Sequence, residues 1–92
     1  MKVNSITTKF RKMPWSTLNN FLKSIGWEQQ VDRKNLKRYK IGSKTLVIIN
    51  VGKNKWKVDY FIGRRLVDSA GVMDEEFAKV MAGELGWLRG IN

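Results

Sequence analysis

Residues Ser43 to Leu66 constrain this chain more than any other stretch. Two β-rich runs, Thr45–Val51 and Lys55–Ile62, flank the segment Gly52-Lys53-Asn54. Glycine and asparagine tolerate the backbone angles of tight turns, so the stretch predicts an antiparallel hairpin. Leu46 to Ile49 is continuously apolar, which suits an interior strand with both faces at least partly covered. Lys55–Ile62 alternates instead. Trp56, Val58, Tyr60 and Ile62 point one way, and Lys55, Lys57, Asp59 and Phe61 the other. The first set is the predicted core side. The second is predicted to meet solvent or a ligand.

The same region is the most basic. Residues 33–65 hold eleven Lys/Arg and only Asp59, a net charge of +10, against +3 for residues 1–32 and −3 for residues 66–92. A cationic block of this size attracts phosphate backbones, acidic proteins or anionic surfaces. Ninety-two residues allow one domain with one core. There is no cysteine to staple it, which fits a reducing compartment. The chain does not open on a basic-then-apolar leader, and Leu46–Ile49 is far too short to span a bilayer. The expectation is a cytoplasmic protein with no membrane association.

The flanks read as helices. Leu18, Phe21, Leu22 and Ile25 recur at helical spacing within Pro14–Trp27. Pro14 suits the first turn, with Ser16 an alternative cap. Gly26 falls where a left-handed C-cap residue belongs, and Trp27 where a side chain folds back on the last turn. Asp74–Leu88 predicts a second helix, capped by Asp74, with Glu75 and Glu76 at the positive end of its dipole. Phe77, Val80, Met81, Leu85 and Leu88 form its apolar stripe. Gly83 and Gly86 weaken that helix, and a close helix–sheet contact would explain one of them. Met1–Met13, with Val3, Ile6 and Phe10, predicts a basic arm or a short edge strand over residues 1–12. Glu28–Leu36 lacks a period and is expected to be a loop. Lys37–Ile41 and Arg65–Ser69 are short strands, entered through turns at Gly42-Ser43 and Gly63-Arg64. The predicted fold is two-layer α+β: an N-terminal helix, a three- or four-stranded antiparallel meander and a C-terminal helix, both helices on one face.

Histidine is absent as well, which removes the commonest general base and, with cysteine, most zinc sites. Gly83, Gly86 and Gly90 lack the spacing of a phosphate loop. No catalytic residue, metal or cofactor is assigned. One enzymatic route stays open, a ribonuclease that stabilises transition-state charge with Lys37, Arg38, Tyr39, Arg64 and Arg65. Leu18-Asn-Asn-Phe-Leu-Lys-Ser-Ile-Gly-Trp27 resembles the first-helix segment of HicA-type ribonuclease toxins. That family has a helix–three strands–helix fold like double-stranded-RNA-binding domains, and the resemblance implies RNA cleavage. Its catalytic histidine follows a glycine, whereas here Gly42-Ser43 is followed by Lys44. Double-stranded-RNA-binding domains begin their second helix with lysines, where this chain has Asp74-Glu75-Glu76.

The favoured expectation is a nucleic-acid-binding protein, DNA before RNA and duplex before single strand, with the outer face of the meander on the phosphates. Lys55 and Lys57 stand about 6.6–6.8 Å apart on one face of a strand. Lys44 and Lys53 extend their row, with Lys37, Arg38 and Lys40 on the preceding strand and Arg64 and Arg65 at the next turn. Arginine engages phosphate bidentately or reads guanine edges, and Phe61 offers a ring for an unpaired base. A two-stranded ribbon fits the DNA major groove. Lysines on an exposed strand also guard against edge-to-edge pairing, a lesser role. The alternative is a small basic inhibitor or adaptor for an acidic protein surface, anchored by Trp15, Phe61 and Trp87. Its size suits a phage- or plasmid-encoded accessory protein. Free strand edges also leave room for a homodimer.

Overall fold

Alternation and tight turns build one sheet. The computed structural model describes residues 5–90, with side chains from Thr7 onward. It runs α1 (Ser5–Thr8), a 3-10 turn (Lys9–Lys12), α2 (Trp15–Ser24), β1 (Glu28–Arg33), β2 (Leu36–Ile41), β3 (Lys44–Gly52), β4 (Lys55–Ile62), β5 (Arg65–Met73) and α3 (Glu75–Gly90). The five strands form an antiparallel meander in the order β1-β2-β3-β4-β5. The α+β architecture is the predicted one, with more strands. Residues 28–36 are not a loop but β1 and the turn into β2. Only Val31 is apolar in β1, because an edge strand is held by backbone pairing more than by side-chain burial. The last strand reaches Met73, past the expected Ser69. Two bulges, at Val67 and Ala70, let it stay paired with the straighter β4.

Residues 5–12 are helical turns rather than an arm or an edge strand; Val3 and the side chain of Ile6 lie outside the described residues. Phe10 anchors them, fully buried. Thr7 Oγ1 donates to Glu84 at 3.1 Å, and Lys12 and Arg11 both hold Glu76. The hydrogen bond from Lys12, helped by its charge and that of Arg11, keeps the Glu76 carboxyl below its ordinary range.

The caps follow the sequence closely. Pro14 takes the N-cap position of α2, one residue before the first turn. Gly26 adopts φ +103°, and the Gly26 and Trp27 amides close the helix on Lys23 and Leu22. Trp27 is buried, and its indole N–H donates to the Gly86 carbonyl at 2.9 Å. Asp74 accepts from the Phe77 amide at 2.8 Å, as a cap should.

Helix α3 is buried all round over residues 78–86, not a one-sided stripe; Phe77 and Leu88 are exposed. It lies on β3, β4 and β5, with α1, the 3-10 turn and α2 against its other side. Its glycines permit this: their nearest neighbours are helical residues and Trp27, and Gly86 also faces Leu46 of the sheet. A Cβ on Gly83 would stand 2.8 Å from the Phe10 ring, one on Gly86 2.3 Å from Leu22 and one on Gly90 2.5 Å from the Trp27 indole nitrogen. The core beneath is Leu18, Leu22, Tyr39, Leu46, Ile48, Trp56, Val58, Tyr60 and Leu85. No helix among the described residues is long and apolar enough to cross a membrane.

Candidate nucleic-acid interface

Both helices lie on one side of the sheet, so the other side is open. Pairing register fixes what stands on it. One row runs Arg33, Leu36, Ile49, Lys57, Val72; the next Val31, Arg38, Val47, Asp59, Ser69; the third Glu28, Lys40, Thr45, Phe61, Leu66. Apolar side chains lie among the charged ones in the middle of the face. Val47, Ile49 and Phe61 are half-buried and floor a trough of about 540 Å³. Gln30, Arg38, Lys40, Thr45, Asp59 and Gly63 complete its lining.

Cations gather at the two ends. The Gly63 amide donates to the Ser43 carbonyl at 2.8 Å, so the turns after β2 and β4 lie together, with Arg64 on the second. At the other end Asn50 bonds Asn35 through backbone (2.9 Å) and side chain (3.2 Å). That joins the turns after β1 and β3, which bring Arg33, Lys34, Lys53 and Lys55 to one rim.

The sequence-predicted site residues divide by parity. Arg38, Lys40, Lys57 and Phe61 share the open face, and Lys53, Lys55 and Arg64 sit exposed at its ends. Arg65 pairs with Ile62, on the helix-side row, at the rim. Two cations belong elsewhere. Lys37 pairs with Ile48 and Lys44 with Ile62, which puts both on the helix-covered side. The Lys37 side chain is 7% exposed. Its ammonium donates to Asp32 at 3.1 Å and to the Arg33 carbonyl at 2.8 Å, and lies 5.2 Å from the centre of the Trp15 ring. Lys44 donates to the Arg89 carbonyl at 2.8 Å. The expected row from Lys57 to Lys44 is therefore broken, because the two residues face opposite ways.

Tyr39 follows Lys37 to the covered side. Its hydroxyl donates to Asn19 at 3.0 Å and accepts from Gln29 at 3.2 Å. Burial, then the Asp32 charge, pushes its phenol well above the ordinary value. The five residues of the ribonuclease route are thus split between the covered side, the open face and the turn after β4. Trp15 and Trp87 are likewise engaged internally. Trp15 donates to Glu75 at 2.9 Å and packs on Trp56, and Trp87 stacks on Phe21.

Sequence reasoning put Asp59 on this face but missed its burial, and it missed Gln30, Thr45, Val47 and Ile49 as lining. Asp59 Oδ1 accepts from the Ser69 hydroxyl at 2.6 Å, whose oxygen accepts from the Gly71 amide at 3.1 Å. Asp59 Oδ2 lies 3.4 Å from the Lys57 ammonium. The β5 bulge at Ala70 aims Ser69 at the carboxylate. The run Leu46–Ile49 held a signal for Val47 and Ile49, since only half of a strand's residues can face the helices. Among the described residues no group of three or more His, Cys, Asp or Glu is placed to hold a metal ion. Comparison with protein-family models, curated proteins and solved structures finds no match to this chain.

Proposed function

We propose that this protein is a nucleic-acid-binding domain whose open sheet face carries the contact. One observation supports this most: Arg38 and Lys40 line an open trough, Lys57 stands on the same face, Lys53, Lys55 and Arg64 lie at its ends, and both helices pack on the other side of the sheet. Six exposed or half-exposed cations on one side exceed what edge protection needs. Phosphates would meet the rim, while bases would meet the apolar floor. Duplex DNA is the first form to test, but not by insertion of the β3–β4 ribbon. Both flanks of that ribbon are occupied, by β2 and β5. Four strand spacings make the sheet roughly 19 Å wide, against about 12 Å for the major groove. A duplex would be met by the cationic ends of the face.

Titration of duplex DNA, single-stranded DNA and duplex RNA at two salt concentrations tests this. The log affinity should fall with log salt at a slope of about −0.9 per phosphate neutralised on a duplex and −0.7 on a single strand. Replacing Arg38 and Lys40 together by Ala should weaken binding and reduce that slope by about 1 per lost contact, with the melting temperature unchanged. Absence of binding to every form in low salt sinks the proposal.

A protein partner is the second reading, favoured by β5. This edge strand exposes Leu66, Val67 and Val72, carries no lysine, and borders a groove of about 450 Å³ that includes Met73, Phe77 and Met81. An added strand from a partner or a second copy would cover it. Sedimentation of the protein alone reports the second copy directly.

A further inference from the structure

Asp59 is out of place on a phosphate-binding face. It is the only carboxylate on β2, β3 and β4, and it stands at the centre of the cationic side, in the row Arg38, Val47, Asp59. A carboxylate repels phosphate, so backbone contact alone gives it no purpose. Nor is it a loose surface charge. Its side chain is 10% exposed, and the Gly71–Ser69 relay fixes Oδ1. The Lys57 ammonium at 3.4 Å from Oδ2 is beyond the 2.7–2.9 Å or so of a strong charge-assisted hydrogen bond. Lone pairs on Oδ2 therefore remain for a donor from the trough, which Asp59 lines.

Across Val47 stands Arg38, a fork of donors two strand spacings away, about 10 Å between backbones. A ligand seated between them offers acceptors to Arg38 and donors to Asp59. Among the bases guanine alone has both as pairs on adjacent edges. Its O6 and N7 accept from an arginine fork, and its N1–H and N2–H donate to a carboxylate. Adenine would turn its N1 lone pair on Asp59. Thymine and uracil have one N–H between two carbonyls. Phe61, in the adjoining row, offers the ring on which an unpaired base stacks.

We infer that the trough is a reading pocket for an unpaired guanine in a nucleic-acid strand, with Arg38 and Asp59 as its two readers. The inference presupposes nucleic-acid binding at the open face and adds base identity to it. The guanine must be unpaired, because in a duplex its N1 and N2 protons are taken by cytosine.

The test is fluorescence anisotropy with labelled ten-nucleotide oligothymidine carrying one central guanine, adenine, cytosine or thymine. Guanine should bind roughly tenfold tighter than the others. Inosine, which lacks the 2-amino group, and 7-deazaguanine, which lacks N7, should each lose most of that gain. These ligand-side changes leave the protein untouched. Asp59→Asn should erase the guanine preference while thymine affinity holds or rises, and Arg38→Lys should erase it at unchanged net charge. If either variant fails to fold by circular dichroism, the inosine and deazaguanine ratios decide. Equal binding of all four bases overturns guanine reading and leaves nucleic-acid binding intact. No binding of any oligonucleotide overturns both. Free guanosine monophosphate binding as tightly as the oligonucleotide overturns the strand as the ligand.

Discussion

The two faces of the one sheet are made from the same strands and obey opposite rules. On the covered face Leu46, Ile48, Val58 and Tyr60 are buried against α3 and α2, and the polar groups of Lys37 and Tyr39 are held by hydrogen bonds. The Lys37 ammonium has a carbonyl, a carboxylate and a tryptophan ring around it there. Its ion pair contributes little, because Asp32 is largely exposed and screened. On the open face the apolar residues are half-covered and the cations largely solvated. The difference teaches that residue type does not assign a face in this chain. Parity with Tyr39 does.

The sharpest break of that comparison is between neighbours in sequence. Leu46→Ala should lower unfolding free energy by about 2–5 kcal/mol in urea titration. Val47→Ala, on the open side, should cost about 1 kcal/mol. Equal losses would mean that the open face is as packed as the other. The lysines come next. Lys37→Ala removes the charged hydrogen bond to the Arg33 carbonyl, worth about 1.5–3 kcal/mol. Lys40→Ala should stay within about 0.5 kcal/mol of wild type and act on nucleic-acid affinity instead.

Within the covered face, two tryptophans sharpen the comparison. Trp56 Nε1 is buried with no hydrogen-bond partner among the described residues, whereas Trp27 Nε1 is bonded to Gly86. Beyond the shared loss of ring volume, Trp27→Phe should therefore cost about 1 kcal/mol more than Trp56→Phe. The smallest effect is alkaline. The fold holds the Tyr39 proton more firmly than the unfolded chain does. Above the unfolded value near 10, the unfolded state deprotonates first, so stability falls as pH rises. Tyr39→Phe should flatten that decline in melts run from about pH 10 upward. An unchanged slope would mean that Tyr39 is not held neutral by burial.

Much of this was legible beforehand where the signal is local. The turns at Gly42, Gly52–Asn54 and Gly63, the Gly26-Trp27 stop and the Asp74 cap each depend on residues within a few positions of one another. Parity was also present for Lys37, which shares a strand face with Tyr39 and Ile41. Charge obscured it, since a lysine is rarely buried and is read as outward. Strand β1 left no such trace. Its place comes from hydrogen bonds to β2, and backbone pairing is nearly blind to side chains.

The sequence alone determined an antiparallel meander between two helices and concentrated its charge on the central strands, because period, turn chemistry and capping act over short distances. Only the tertiary structure decided the fifth strand, the glycine face of α3 against Phe10 and Leu22, and the burial of Asp59 behind a bulge. Those depend on what lies opposite, and register, bulge position and close approach belong to pairs of segments distant in the chain.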